Sequence, residues 1–161
     1  MVRTLQPWFE NIGKRQVKTT KIYLRDSGIL HSLMGLSNKT AVERHPKLSA
    51  SWEGFALEEL LRSYEIPASD AYFWRTQSGA ELDLLIHYQG KKMGFEFKYT
   101  DKPQITPSMR IAFEDLQLDN ITVIYPGPYS FPLDTNIDVM SIQNIYNTTK
   151  SINTHNNIYR I

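Results

Sequence analysis

The chain has 161 residues, enough for one domain with a buried core. Hydrophobic residues make up 41% of it and charged residues 22%, an ordinary globular balance, and the formal net charge of +1 means that no global basic field announces nucleic acid, so any basic surface must be local. Cysteine is absent, which excludes disulfides and thiolate metal sites and fits a reducing cytoplasm; no apolar run approaches the ~20 residues of a membrane span, and Met1-Val-Arg-Thr-Leu-Gln-Pro-Trp8 has no signal-peptide core.

Residues 1–20 mix aromatic side chains with Lys14, Arg15 and Lys18 and read as an extended lead-in arm, either solvated or in contact with phosphate. Lys21-Ile-Tyr-Leu-Arg25 is a short strand. Asp26-Ser27 then caps a helix through Ile29, Leu30, Leu33 and Met34, and Gly35 ends it. His31 on that helix reads as packing or surface. Pro46 opens a long helix to about Tyr64, with apolar positions at Trp52, Ala56, Leu57, Leu60, Leu61 and Tyr64. At ~100° per residue, Glu53 falls in the middle of that apolar face, Glu59 on its border, and Glu58 on the far polar face with Arg62. A carboxylate on a buried face needs a partner. Glu53 is either held by a salt bridge or backbone hydrogen bond, or is a third acid aimed at the cluster described next.

Ala71-Tyr-Phe-Trp-Arg-Thr76 is a strand, in which Trp74 reads as core or base-stacking surface and Arg75 as a phosphate contact. It leads into Ala80-Glu-Leu-Asp-Leu-Leu-Ile-His-Tyr88, Gln89-Gly90 and Lys91-Lys-Met-Gly-Phe-Glu-Phe-Lys-Tyr99, two alternating runs around a turn. With Gln89-Gly90 as a two-residue loop, Tyr88 pairs with Lys91, Asp83 falls opposite Glu96, and Glu81 opposite Lys98. A four-residue loop keeps that register and a three-residue loop breaks it. The other face pairs Leu82 with Phe97, Leu84 with Phe95 and Ile86 with Met93, and is wholly apolar. Directly opposed carboxylates have Cβ atoms roughly 5 Å apart and repel. At that separation they can share a hard divalent ion such as Mg²⁺. Lys98, two residues beyond Glu96, points to the same side.

After the hairpin, Thr106-Pro107 gives an N-cap and a first-position proline for a helix through Met109, Ala112, Phe113 and Leu116. Asn120 to Tyr125 is an apolar strand ended by Pro126-Gly127-Pro128. Ile137 to Met140 reads as an edge strand, with a short helix near Ile142 to Tyr146 and a polar tail from Asn147. From the long helix onward the order is helix, three strands, helix, strand, which predicts a mixed sheet with helices on its faces.

Glu53 on a helix, then Asp83, then Glu96-Phe97-Lys98, resembles the PD-(D/E)XK nuclease superfamily, with Leu82 where the superfamily's name has Pro. The resemblance implies an α/β fold with a restriction-endonuclease-like αβββαβ core, its mixed central sheet flanked by helices, over residues 21–146, preceded by the 1–20 arm and followed by the 147–161 tail. Longer strings are similar to a bacterial domain of unknown function that normally follows an AAA+ ATPase module and a winged-helix segment. They are Pro7-Trp-Phe-Glu-Asn-Ile-Gly-Lys-Arg15, Lys21-Ile-Tyr-Leu-Arg-Asp-Ser-Gly28, His45-Pro-Lys-Leu-Ser-Ala-Ser-Trp-Glu-Gly-Phe55, Tyr72-Phe-Trp-Arg-Thr-Gln-Ser-Gly-Ala-Glu-Leu-Asp83 and Gly94-Phe-Glu-Phe-Lys98, with Ser49 where that pattern has Gly.

The resemblance implies a cytoplasmic, metal-dependent endonuclease or exonuclease acting on DNA, with no membrane partner and an AAA+ ATPase module in cis or in trans. Asp83 and Glu96 would hold Mg²⁺ or Mn²⁺, with a backbone carbonyl near Phe97 as a further ligand. Lys98 would position a water or stabilise developing negative charge. Glu53 would anchor a second ion or orient its water. Glu81, opposite Lys98, would hold the lysine, and Arg75 would contact phosphate. Lys14, Arg15, Lys18, Arg75, Lys92, Lys102 and Arg110 are the candidates for a basic groove. The alternative is a non-catalytic module that binds DNA or regulates an ATPase, its acidic face a relic or a structural ion site. The plainest reading is a protein-interaction domain in which Glu81 and Lys98 pair in a solvated ladder. No G-x-x-x-x-G-K-[ST] loop occurs, so the chain has no ATPase of that type and reads as a detached C-terminal half or a fragment.

Overall fold

Alternation and helical spacing resolve into eight strands and four α-helices over residues 1–146, which are those the computed structural model describes. The polar tail expected at 147–161 lies outside them. The elements are β1 (Val2–Pro7), β2 (Lys21–Leu24), α1 (Ser27–Leu33), α2 (Lys39–Glu43), α3 (Leu48–Ser63), β3 (Ala71–Arg75), β4 (Glu81–Tyr88), β5 (Lys91–Phe97), α4 (Pro107–Leu116), β6 (Asn120–Tyr125), β7 (Phe131–Asp134) and β8 (Ile137–Ser141). From α3 to β6 the order is the helix, three strands, helix, strand that the sequence predicts. The strands form one mixed sheet in the order β2-β1-β3-β4-β5-β6-β8-β7. No helix among the described residues is long and apolar enough to cross a membrane.

Each face of the sheet is covered by one long helix. Ala56, Leu57, Leu60 and Leu61 of α3 pack on Leu84, Ile86, Phe95 and Phe97, whereas Met109, Ala112 and Leu116 of α4 pack on Leu82, Leu85, Ile121 and Val123. Thr106 caps α4 by accepting the Met109 amide at 3.3 Å, and Pro107 takes the first helical position, where its missing N–H leaves nothing unpaired. Gly94 is required by close approach, because a Cβ there would lie 2.8 Å from Leu118 Cδ1.

The hairpin turn is the expected one. Gln89 and Gly90 both have positive φ, 51° and 78°, the conformation of a two-residue type I′ loop, and Tyr88 pairs with Lys91. Paired register then runs as far as Leu84 with Phe95. Beyond that point the expected single-faced pattern fails. On the other side of β4, Tyr72 pairs with Leu85 but Trp74 pairs with Leu82, so β4 carries one extra residue, a β-bulge at Asp83–Leu84. The bulge turns Leu82 to the α4 face while Leu84 and Ile86 stay on the α3 face.

Three further expectations are corrected. Residues 1–20 hold no helix, but they are not a free arm. In β1, residues 2–5 pair with β2 and residues 6–7 with β3, and Leu5 is fully buried in the α3-side core. Strand β8 is not an edge; it lies between β6 and β7, because Phe131–Asp134 supplies one more strand outside it. Glu58 does not face solvent. It is 3% exposed and is gripped by Arg3 (Nη2 to Oε2, 3.0 Å) and Arg25 (Nε to Oε2, 3.0 Å). The two arginines hold its carboxyl below the usual range although burial alone pushes it up. Gly54, one turn before, lets Tyr23 of β2 come within 3.4 Å of where a Cβ would be, so the β1–β2 pair docks on α3 through packing and charge together.

That docking yields a test. Glu58→Ala leaves Arg3 buried without a counter-charge and is expected to lower the unfolding free energy by about 3 kcal/mol in urea titration. A loss below about 1 kcal/mol, the range of a surface pair, would show that β1–β2 is not anchored this way.

Candidate functional site

Four acids and two lysines converge where the hairpin strands part. The amide of Lys98 donates to Ile124 on β6, so the preceding amide, that of Phe97, points toward β4. There it meets a side chain: Asp83 Oδ2 accepts the Phe97 N–H at 3.0 Å. The bulge has therefore placed the Asp83 carboxylate in the gap between the two strands. Lys98 Nζ lies 3.8 Å from Asp83 Oδ2 and 2.5 Å from Glu96 Oε2, so both carboxylates reach one ammonium. Asp83 and Glu96 are 6% and 3% exposed.

On the α3 side a second ammonium completes the cluster. Lys21 Nζ stands 2.5 Å from Glu81 Oε1, 3.1 Å from Glu53 Oε1 and 3.7 Å from Asp83 Oδ1. Tyr23, two residues along β2 and so on the same side, donates its hydroxyl to Glu53 at 2.5 Å. Glu53 is thus held by a salt bridge, as one of its two expectations has it, and Lys21 links it to Asp83.

Glu81 differs from expectation. Its partners are Lys21 and, at 3.7 Å, Arg75 Nε, and Lys98 instead bonds Glu96. The extra residue in β4 breaks the register that would have set Glu81 opposite Lys98, so the solvated Glu81–Lys98 ladder does not form. Lys21 and Tyr23 were not anticipated as site residues. Their signal was present: alternation along β2 puts a lysine and a tyrosine, each with a polar tip, on the side away from exposed Ile22.

Burial and like charge set the protonation states. Burial pushes the Glu96 carboxyl up to about 8, the Asp83 charge adding to it and Lys98 opposing it. Asp83 is raised as well, by burial and then by Glu53, against Lys98, Lys21 and the Phe97 amide. Burial pulls the two ammonium groups down, but the surrounding carboxylates outweigh it and both are raised, so Lys21 and Lys98 stay charged. Tyr23 is pushed up by burial and by Glu53 and remains a donor.

Gly79, Glu81, Asp83, Glu96, Lys98, Thr106 and Ser108 line a cleft of about 240 Å³. The amino end of α4 borders it through Thr106 and Ser108 and contributes partial positive charge. Larger grooves of about 380 and 310 Å³ flank α1 and α3, but they are mainly apolar, and the buried acids Asp83 and Glu96 line the smaller cleft. Of the seven basic residues expected to build a groove, four are engaged by acids: Lys14 by Asp115, Arg75 by Glu81, Lys92 by Glu10 and Arg110 by Asp134. Trp74 is core, fully buried with its Nε1 donating to Gln16 at 2.9 Å. His31 is a packing residue, its Nε2 lying 2.7 Å from Ser51 Oγ.

The donor set suits a hard cation. It is all oxygen, and with every acid ionised the four carboxylates outnumber the Lys21, Lys98 and Arg75 charges beside them, so the cluster keeps a negative excess that a bound cation would offset. Among the described residues no three acidic or imidazole side chains form a ready-made metal cage, since lysines stand between the acids.

A family described as a domain of unknown function (DUF4143) matches residues 48–145, and a second domain of unknown function (DUF8612) matches residues 1–40. Similar relatives are the uncharacterized proteins Mb2031c of Mycobacterium bovis and Rv2008c of Mycobacterium tuberculosis, each 48% identical over 148 residues. Those alignments cover 92% of this chain and 33% of each relative, so the chain spans about a third of the length of the curated relatives it matches. No solved structure matches.

The Glu96 shift predicts a pH dependence. The unfolded chain releases this proton near the ordinary value of 4.5 and the folded chain at about 8, so stability falls as pH rises between them. In chelator, Glu96→Gln should melt above wild type at pH 8, with the gap closing toward pH 5. Equal melting temperatures at both pH values would mean that Glu96 is not held protonated by its site.

Proposed function

The chain belongs to the DUF4143 family, and from the site it carries we propose that it is a divalent-metal-dependent nuclease domain of PD-(D/E)XK type that hydrolyses DNA phosphodiester bonds. The observation that carries this reading is the convergence of Asp83, Glu96 and Lys98 in one cleft, from β4, β5 and the residue just after β5, with Glu53 of α3 linked to Asp83 through Lys21. The helix, three strands, helix, strand order of α3 to β6 supports a restriction-endonuclease-like core. An AAA+ ATPase module, in cis or in trans, is the partner that the residue strings suggest.

Asp83 and Glu96 would hold Mg²⁺ or Mn²⁺. When bound, such an ion polarises a phosphodiester and lowers the pKa of a water beside it. The protein's own groups do the positioning. The Phe97 amide fixes the Asp83 carboxylate, so that this ligand needs no rearrangement. Lys98, charged and set between the two acids, faces the cleft where negative charge builds on the phosphoryl oxygens and stabilises it. Glu53, steadied by Tyr23, orients groups around the centre from the second layer.

A second reading has its own support. The lysines already neutralise part of the acidic set, and four of the seven candidate phosphate contacts are paired with acids, which weakens the grip on DNA and, of the non-catalytic alternatives, favours an ATPase-regulating module over a DNA-binding one.

Supercoiled and single-stranded DNA incubated with the protein in Mn²⁺ or Mg²⁺ separates the two. Wild type should cut, and Asp83→Ala and Lys98→Ala should each lose about 100-fold or more of the rate. Metal binding without cutting would favour the non-catalytic module, and cutting retained by both variants would place the chemistry elsewhere.

A further inference from the structure

We propose that the Lys21 ammonium is a built-in competitor of the divalent cation, seated among Glu53, Glu81 and Asp83 until the ion displaces it. The inference rests on the metal-site reading above and concerns how that site is kept closed. Lys21 comes from β2, outside the run of elements from α3 to β6 that carries the acids, and its delivery there depends on the β1–β2 pair docking on α3.

Three carboxylates around one ammonium are more than a structural ion pair uses. Lys21 Nζ contacts oxygens from a helix, Glu53, and from two positions of one strand, Glu81 and Asp83, and it sits 5.3 Å from the centre of the Phe73 ring, which adds a cation–π contact. The site is therefore built to receive positive charge at this point, and in the absence of metal the lysine supplies it. Asp83 is the residue the two cations would share: Oδ1 faces Lys21 and Oδ2 faces Lys98 and the Phe97 amide. A carboxylate oxygen committed to an ammonium is less available to a metal, so the ion must loosen the Lys21–Asp83 contact. That contact, at 3.7 Å, is the longest of the three. Lysine suits the task, being a compact charge on a flexible stem that can withdraw toward Glu81 without moving the backbone.

The test measures metal alone on the full chain. Mn²⁺ titration calorimetry compares wild type with Lys21→Met and, as a polar control, Lys21→Gln; both variants should bind on the order of tenfold more tightly, because a competing charge is gone. If Lys21→Met fails to fold, wild type still decides: Mg²⁺ titration followed by side-chain lysine NMR should shift the Lys21 resonances in step with binding. Wild type that binds Mn²⁺ with variants equal or weaker, or Lys21 resonances unmoved while Mg²⁺ saturates, would overturn the competitor role and leave the metal site standing. No Mn²⁺ binding by wild type or either variant would overturn the metal site itself, and this inference with it.

Discussion

Everything at the candidate site depends on an electrostatic imbalance held at the parted end of a hairpin. Asp83 and Glu96 are almost wholly buried, Glu53 and Glu81 crowd in from α3 and from the start of β4, and Lys21 and Lys98 answer them, with Arg75 half-exposed beside Glu81. Like charges brought together out of water raise the free energy of the folded state. A core has no structural need for this arrangement, since apolar residues of similar volume would fill the space without the penalty. The raised proton affinity of Glu96 and Asp83 measures how strongly the folded chain resists the fully ionised state. A cation relieves that resistance, and the two lysines relieve only part of it.

The fold produces the imbalance by a local irregularity rather than by its general plan. In a regular hairpin, Asp83 would lie on one face and the Phe97 amide would face the opposing strand's backbone. One extra residue in β4 swings the Asp83 carboxylate into the plane of the sheet, where it caps that amide and still reaches Lys98. Helix α3 brings Glu53 to the same spot, and Arg3 and Arg25 clamp Glu58 further along the helix to hold β2 and its lysine against it. Structure-bearing charges on one part of α3 therefore fix the position of chemistry-bearing charges on another. The family match across residues 48–145 spans α3 through β8, whereas Lys21 lies in the segment matched by the other domain, so competitor and acids come from separately recognised stretches of chain.

Much of this was legible in the residues. Gln89-Gly90 fixed the turn, and with it the register out to Leu84 and Phe95, because an even-numbered loop satisfies the alternation on both sides and a three-residue loop does not. Helical spacing located α3 and α4, and the apolar arc of α3 flagged Glu53 as a misplaced charge in need of a partner. The bulge was not legible, since no glycine or proline marks Asp83–Leu84 and nothing local distinguishes an extra residue from continued alternation. Its consequence, Glu81 turning from Lys98 to Lys21 and Arg75, was hidden with it. Glu58 was misplaced for a related reason. Helical periodicity reports one buried face, and a second element packing on the opposite side, here the β1–β2 pair, is long-range information. Strand β8 read as an edge because Phe131-Pro132-Leu133-Asp134, with its proline, does not look like a strand until it pairs outside β8.

The most direct test of the account is crystallographic: the protein grown or soaked with Mn²⁺, with diffraction data collected at the manganese absorption edge. A cation shared by the two strands gives one anomalous peak within coordination distance, about 2.0–2.3 Å, of both Asp83 and Glu96. A map without such a peak at saturating Mn²⁺, with both lysines still closed on the carboxylates, would contradict it.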